Sequence, residues 1–350
     1  MKLLIITQKY DNNDPVLGAF NIWWDKLAQH MSKVYILALE KRSETSLSNV
    51  KVISMGKEKD RGFFGKIFGF YWGLFKTIGR IDAIFIHMIP KYVILAAPLA
   101  FIFRKPIYFW YAGIAAQKQL KFAAKFCKKI FTSHEAGMRA RADKRVVVGH
   151  GIDVNKFTPR LSEESGTITV ISVGRITPSK GHAIILEAIA DLICEGYNLR
   201  LEIIGGVIQR RHEPYLSRLK KMALEFGVRH RIEFIGPVPY NEMPQYFHQA
   251  EILVNAVPFG SLDKVILEAM ASCIVPLTSN SAFLGVFPGE FSKELIFKEG
   301  SWEDLKMKLK NILDKKLYKN ETLCQQMREI IIKNYNLDNL IIRFLKEMSE

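Results

Sequence analysis

Short apolar runs alternate along the chain with longer segments whose apolar positions recur every three or four residues. The runs predict strands at 2–7, 33–39, 50–55, 82–87, 106–111, 129–133 and 145–149. Helical patterns fill 18–31, 64–78, 90–103, 114–127 and 134–141 between and after them. The second half repeats the scheme, with strands at 167–173, 199–204, 231–235, 251–255, 274–278 and 294–297. Its helices are expected at 180–195, 214–226, 241–249, 263–272, 302–315, 320–334 and 338–348. Runs such as VVV at 146–148 and LEII at 201–204 show no strict alternation, which fits parallel strands covered on both faces. Strand–helix alternation in both halves predicts an α/β protein of two Rossmann-like, doubly wound domains.

The division is expected within 157–166, FTPRLSEESG, where Pro159 and Gly166 break the periodicity. The expected domains are 1–160 and 161–335, with 336–350 a last helix crossing back toward the first domain. A length of 350 residues suits two cores rather than one. The longest apolar run, YVILAAPLAFIF at 92–103, is shorter than a membrane span and reads as a buried helix. Residues 3–6, LLII, read as a first strand rather than a leader. Cys127, Cys194, Cys273 and Cys324 are far apart in sequence, which predicts a reduced chain without disulfide or zinc.

Charge changes this picture by dividing the halves. Residues 1–160 hold 27 Lys+Arg and 11 Asp+Glu, a net of +16; the remaining 23 and 24 leave the second half at −1. A basic half attracts phosphates, nucleic acid or an anionic membrane. No RNP, KH, zinc-finger or helix-turn-helix signature is found, so nucleic acid is not the expected partner. RGFFGKIFGFYWGLFKTIGR at 61–80 interleaves aromatics with cations, and KQLKFAAKFCKK at 118–129 adds five lysines to an apolar face. Such segments suit a peripheral place on an anionic membrane, here the inner face of the cell membrane of a cytoplasmic protein.

Chemistry concentrates in two stretches of the second half. In TVISVGRITPSKGH, 169–182, a strand ends at Gly174, and Arg175 and Lys180 follow in the loop. Two cations at the carboxyl end of a parallel strand suit a diphosphate: Arg clamps an oxyanion with two hydrogen bonds and Lys adds a point charge. The GxxxxGK[ST] spacing of a P-loop is absent. In GSLDKVILEAMAS, 260–272, a helix starts near Ser261 and Leu262, whose N–H groups would favour a phosphate. Glu268, further along that helix, could accept hydrogen bonds from a ribose diol.

VGRITPSKG, VVVGHGIDVNKFTP, FIGPVPYNEMPQYFHQAEILVNA and SLDKVILEAMASCIVPLTSN occur in this order. Together they resemble the retaining glycosyltransferases of group 1 (family 4), which have the GT-B fold. ITQKYDNNDPVLGAF and HMIPKYVILAAPLAFIFRKPIYFWYA extend the resemblance over nearly the whole chain. It implies that Arg175 and Lys180 hold the donor diphosphate and that Glu268 binds the ribose. It places the nucleobase at Pro237–Tyr240, around Val238, and brings the turn at Gly18 to the diphosphate and sugar. It implies transfer of a hexose from a UDP- or GDP-sugar to a hydroxyl of a lipid-linked or cell-envelope glycan, with no metal or cofactor. The alternatives are a donor-binding protein with degenerate transfer activity and, more remotely, a basic nucleic-acid-binding protein.

Two departures bear on activity. The family's first Glu of an E-x7-E pair is replaced by Gly260, and Asp263, with Lys264 offsetting its charge, is the expected substitute. Relatives carry a sugar-contacting His where this chain has Gly113, which makes His87 and His134 the candidate sugar-facing residues. His150 reads as structural.

Overall fold

The computed structural model describes residues 1–113, 117–135, 142–160, 166–258 and 260–350. They form two compact units: Met1–Gly151 with Leu337–Glu350, and Ile152–Asn336. The chain passes between them at Gly151 rather than at residue 160. Ile152 already bridges Asn336, and the Arg328 guanidinium binds the carbonyls of Val154 (3.2 Å) and Phe157 (2.9 Å).

Unit 1 is built on seven parallel strands: β1 (Lys2–Tyr10), β2 (Lys33–Lys41), β3 (Val50–Ser54), β4 (Ala83–His87), β5 (Ile107–Trp110), β6 (Lys129–Thr132) and β7 (Arg145–Val147). Their order is β3-β2-β1-β4-β5-β6-β7, so the winding reverses between β1 and β4. Alternate β1 side chains explain the two layers. Leu4 and Ile6 face the core under α2 (Phe63–Ile78), α3 (Pro90–Ile102) and α4 (Gln117–Ala123). Leu3 and Ile5 face the core under α1 (Gly18–Ala28) and the last helix, α11 (Leu337–Ser349). In α11 the buried residues Leu337, Leu340, Ile341, Phe344 and Met348 recur at helical spacing. Phe344 packs 5.0 Å from Phe131 and 5.3 Å from Phe85.

Unit 2 holds five parallel strands: β8 (Ile168–Val173), β9 (Leu199–Ile204), β10 (Ile232–Gly236), β11 (Ile252–Asn255) and β12 (Val275–Thr278), ordered β10-β9-β8-β11-β12. Its helices are α5 (His182–Cys194), α6 (Glu213–Glu225), α7 (Met243–Gln249), α8 (Lys264–Ala271), α9 (Trp302–Asp314) and α10 (Glu321–Ile330). The reversal lies between β8 and β11.

The α/β expectation of two parallel-sheet domains is met. Several details differ. The strand expected at 294–297 is a single bridge, Thr278 to Ile296. The helix expected at 320–334 loosens into a π-turn at Ile331–Tyr335. The helix expected at 134–141 lies largely outside the described residues, as does the start of 114–127. The run at 92–103 is buried on one side only, leaving Phe101 and Ile102 exposed. Cys273 and Cys324 form a disulfide across 51 positions, against the expectation of reduced thiols. The fold brings α10 against α8 and so joins cysteines that no local spacing connects. No described helix is long and apolar enough to cross a membrane.

Candidate functional site

The carboxyl ends of β8, β9 and β10 are laced by loops that only glycine permits. Gly174 N–H donates to Ile204 C=O (2.9 Å), Gly205 N–H to Gly236 C=O (2.8 Å) and Ile176 N–H to Gly206 C=O (3.0 Å). Gly205 has φ +145°, and a Cβ there would lie 1.9 Å from the Gly174 carbonyl oxygen. These loops pack backbone to backbone and hold the segment from Gly174 to Lys180 in place.

Arg175 is exposed on that segment, and among the described residues no carboxylate pairs with its guanidinium. Its carbonyl is pinned by His182, whose Nε2 lies 3.3 Å away, while His182 Nδ1 lies 3.1 Å from Ser172 Oγ. A carbonyl only accepts, so Nε2 carries the proton and Nδ1 accepts from the Ser172 hydroxyl. Burial, aided by the Lys180 charge, lowers the His182 pKa from 6.5 to about 4, and the ring is neutral. Sequence reasoning passed over His182; its place directly after SKG, at the first position of α5, was the available signal.

Lys180 sits in a single 3-10 turn ahead of α5, rather than within the helix. Its Nζ lies 2.8 Å from Asp263 Oδ2. Asp263 also accepts from Asn255 Nδ2 (3.1 Å) at the end of β11. Asp263 stands at the N-cap position of α8, yet its side chain makes no capping bond to the helix. It turns to the two donors instead. The helix begins at Lys264, one residue after the start expected at 263, and Ser261 and Leu262 precede it. Ser261 is held by its carbonyl, which accepts from Asn280 Nδ2 (3.0 Å), and Leu262 is buried.

Glu268 is buried in α8 and occupied on one oxygen. Oε1 accepts from the Tyr240 hydroxyl at 2.7 Å and pairs with Lys264, one helical turn away. The Lys264 ammonium also lies 3.9 Å from the Tyr240 ring centroid, a cation–π contact. Burial, followed by the Glu268 charge, raises the Tyr240 pKa well above 10, which keeps the hydroxyl a donor. Tyr240 ends the loop after β10, where Val238 is also buried. Lys180, Asp263 and Asn255 thus form one polar group of unit 2, and Tyr240, Lys264 and Glu268 form a second; Asp263 and Lys264 are adjacent.

The candidates of unit 1 are placed differently. Gly18 is buried at the first position of α1, its N–H donating to Asp14 C=O (3.0 Å). His87, at the end of β4, is 0% exposed. Its ring centroid lies 4.1 Å from Phe20 and 5.3 Å from Trp24, and Nδ1 is 3.4 Å from Thr7 Oγ1. Burial alone takes its pKa down to about 3. It presents no atom to solvent, so the sugar-facing expectation does not fit this placement. His134 is half-buried after β6, with its carbonyl accepting from Thr132 Oγ1 (3.2 Å). Gly113 has no left-handed φ, and among the described residues a Cβ there would first meet the Tyr111 side chain at 3.6 Å, so its backbone does not demand glycine. His150 is buried 5.8 Å from the Trp110 ring, among core residues.

A concavity of unit 2, about 1380 Å³, opens at the opposite strand ends. Within it Arg200 bridges Glu202 (3.2 Å) and Glu233, Arg160 binds Glu251 (2.7 Å), and Arg229 and Arg231 donate to the Ile232 carbonyl and to Asn198 Oδ1 (2.8 Å each).

Residues 153–334 match the family described as Glycosyl transferases group 1. Among curated proteins, a Corynebacterium glutamicum D-inositol 3-phosphate glycosyltransferase is 34% identical over 146 residues, which is 38% of this chain and 34% of that protein. The mouse GDP-Man:Man(3)GlcNAc(2)-PP-Dol alpha-1,2-mannosyltransferase is 28% identical over 117 residues, 32% of this chain and 24% of that one. The chain thus matches only about a third or less of the length of these two relatives. Among solved structures, Anabaena Alr3699/HepE in complex with UDP and glucose superposes with a TM-score of 0.78 at 17% identity, covering 100% of both chains. That likeness establishes the GT-B fold.

Proposed function

Since the chain belongs to the glycosyl transferases of group 1, we propose that it moves a hexose from a nucleoside-diphosphate sugar to a hydroxyl acceptor, with retention of anomeric configuration. The observation that carries this reading is the exposed, carboxylate-free Arg175 guanidinium, on the same glycine-tethered segment as Lys180. A diphosphate supplies the charge that Arg175 lacks and competes with Asp263 for Lys180. Gly174 lets the backbone approach the phosphates. The loop through Val238 takes the base, and Glu268, oriented by Tyr240 and Lys264, takes the ribose hydroxyls. Ser261, Leu262 and Asp263 lie on the sugar side.

The chemistry asks little of side-chain acids or bases. The acceptor oxygen bonds to the anomeric carbon on the face from which the diphosphate leaves. The bond from that carbon to the phosphate oxygen breaks, and the departing oxygen takes the acceptor proton. Charge developing on the diphosphate is met by Arg175 and Lys180, and stabilisation of this kind dominates such catalysis. The donor is a UDP- or GDP-sugar, no metal or cofactor is required, and the acceptor is a lipid-linked or envelope glycan. The relatives named above support a phosphorylated or lipid-linked acceptor.

One observation favours a second reading, donor binding without transfer: both lysines of the site are held by the protein's own carboxylates. A thermal-shift panel of UDP-, GDP- and ADP-sugars, followed by transfer of radiolabelled sugar to lipid extracts, separates the two. A ligand that binds only the folded state raises the melting temperature. Shift with transfer supports the enzyme, shift without transfer or hydrolysis supports the binder, and no shift with any donor removes both.

A further inference from the structure

The two helical layers of unit 1 differ in their ion pairs. On the α1–α11 side, Lys26 pairs with Asp338 (2.8 Å), and Lys129 with Glu347 (2.8 Å). On the other side α2 packs on α3 and α3 on α4. The sequence from residue 61 to 133, which contains all three helices, holds twelve Lys and Arg, Lys129 of the first side among them, but only one acidic residue, Asp82. Asp82 is engaged elsewhere, accepting from the Lys2 backbone N–H at 2.7 Å. Among the described residues, no carboxylate pairs with Lys66, Lys76, Arg104, Lys121 or Lys125.

The same layer exposes large apolar side chains. Phe64 is 84% exposed, Phe68 68%, Phe75 69% and Phe101 86%. On α2, Phe64, Phe68, Trp72 and Phe75 recur at helical spacing on the side away from Phe70 and Leu74, which fill the core. A second apolar group, Phe122 and Phe126, packs ring to ring on the α4 side at 5.3 Å, with the Lys125 ammonium 5.8 Å from the Phe122 ring. The Lys76 ammonium lies over Trp72 at 3.7 Å. A soluble surface rarely leaves so many aromatics uncovered in one layer. Unpaired cations beside them supply the complement of a negatively charged, apolar-backed partner.

We propose that the α2–α3–α4 layer is a docking surface for an anionic lipid bilayer. The phenyl rings of α2 and α3 enter the boundary between headgroups and acyl chains, and the lysines and arginines meet the headgroup phosphates. With 16 residues in α2 and no spanning helix described, the layer lies on the membrane rather than crossing it. Lipid is favoured over nucleic acid because the exposed groups include the aliphatic Ile102, which an acyl-chain boundary can cover and a base cannot stack on. The inference concerns unit 1 alone and stands whether or not unit 2 binds a nucleotide sugar.

The test uses the full chain with vesicles of phosphatidylcholine alone and of phosphatidylcholine mixed with phosphatidylglycerol. Sedimentation with the mixed vesicles at low salt, and not with phosphatidylcholine alone, is expected. Phe64→Ser combined with Phe101→Ser should weaken binding about tenfold or more while all charges remain. Lys121→Glu with Lys125→Glu should weaken it and flatten its salt dependence. All four residues are exposed, so an unchanged melting temperature verifies folding. Three outcomes overturn the proposal: no binding to the mixed vesicles, binding indifferent to both variants, or single-stranded RNA held more tightly than vesicles and released by the same substitutions.

Discussion

The Lys180 ammonium is held by Asp263 at 2.8 Å, across 83 positions of sequence, and the two side chains are only 19% and 22% exposed. In the proposed donor site, an internal carboxylate therefore stands where a diphosphate would place its charge. Lys180→Ala and Arg175→Ala should each lower turnover by about 10² to 10³, the scale for removing one charged contact to a leaving group. Asp263→Asn should act oppositely on nucleotide affinity. Like charges about 4 Å apart cost about 1 kcal/mol in water-like surroundings, so UDP or GDP should bind about fivefold more tightly to this variant. Calorimetry measures it. Weaker binding would mean that Asp263 serves to position Lys180 rather than to compete for it.

Tyr240 and Glu268 make a second, more buried pair, with the hydroxyl 2.7 Å from the carboxylate. Tyr240→Phe removes a hydrogen bond to a charged acceptor, and Glu268 retains Lys264. The expected loss is about 1.5–3 kcal/mol of stability, read from urea unfolding, together with a raised KM for donor. A change in kcat with KM unaltered would separate this pair from ribose binding.

The architecture was legible because parallel strands covered on both faces read as continuous apolar runs, as at Leu3–Ile6 and Ile252–Val254. Charge partners were less so. Arg175, Lys180 and Glu268 stand out by residue type at strand and helix ends. Asn255, Tyr240 and His182 acquire their roles only when β8, β10, β11 and α8 converge, and no sequence period records that convergence. His87 shows the converse: a histidine at a strand end is chemically suggestive, yet Phe20 and Trp24 close over it.

Stability should fall as the solution is acidified through the histidine range. The folded-state pKa of His182 is about 4 against an ordinary 6.5, so the unfolded chain takes up a proton that the folded state refuses. The contribution is complete above pH 6.5 and is lost as pH falls from 6.5 toward 4. At pH 5 the loss is about 2 kcal/mol. His87, held near 3, adds a loss of the same sign in unit 1. Urea midpoints at pH 7.5 and 5 measure the slope, and His182→Gln should flatten it. A variant with the wild-type slope would place the proton uptake elsewhere.

The Cys273–Cys324 disulfide closes a loop of 51 positions beneath α8. By loop entropy such a crosslink is worth about 4 kcal/mol. Reduction with a phosphine, or Cys324→Ser, should lower the melting temperature by a margin visible in calorimetry. An unchanged melting temperature, with both thiols alkylated only after unfolding, would show that the pair contributes packing rather than a crosslink.

Backbone contact between Gly205 and Gly174 makes the loop that carries Arg175 sensitive to one methyl group. Gly205→Ala places a Cβ 1.9 Å from the Gly174 carbonyl oxygen and forces an alanine to φ +145°. The neighbour is backbone and cannot rotate aside, so the segment carrying Arg175 must shift. Gly227 is the control, since it has φ +69° with open space around it. Gly227→Ala should cost about 1 kcal/mol from conformation alone and leave donor affinity intact. Gly205→Ala should cost several times as much and weaken nucleotide binding in whatever fraction remains folded. Equal effects of the two substitutions on nucleotide affinity would mean that the loops after β8 and β9 yield independently, and that Arg175 owes its place to the His182 hydrogen bond rather than to this contact.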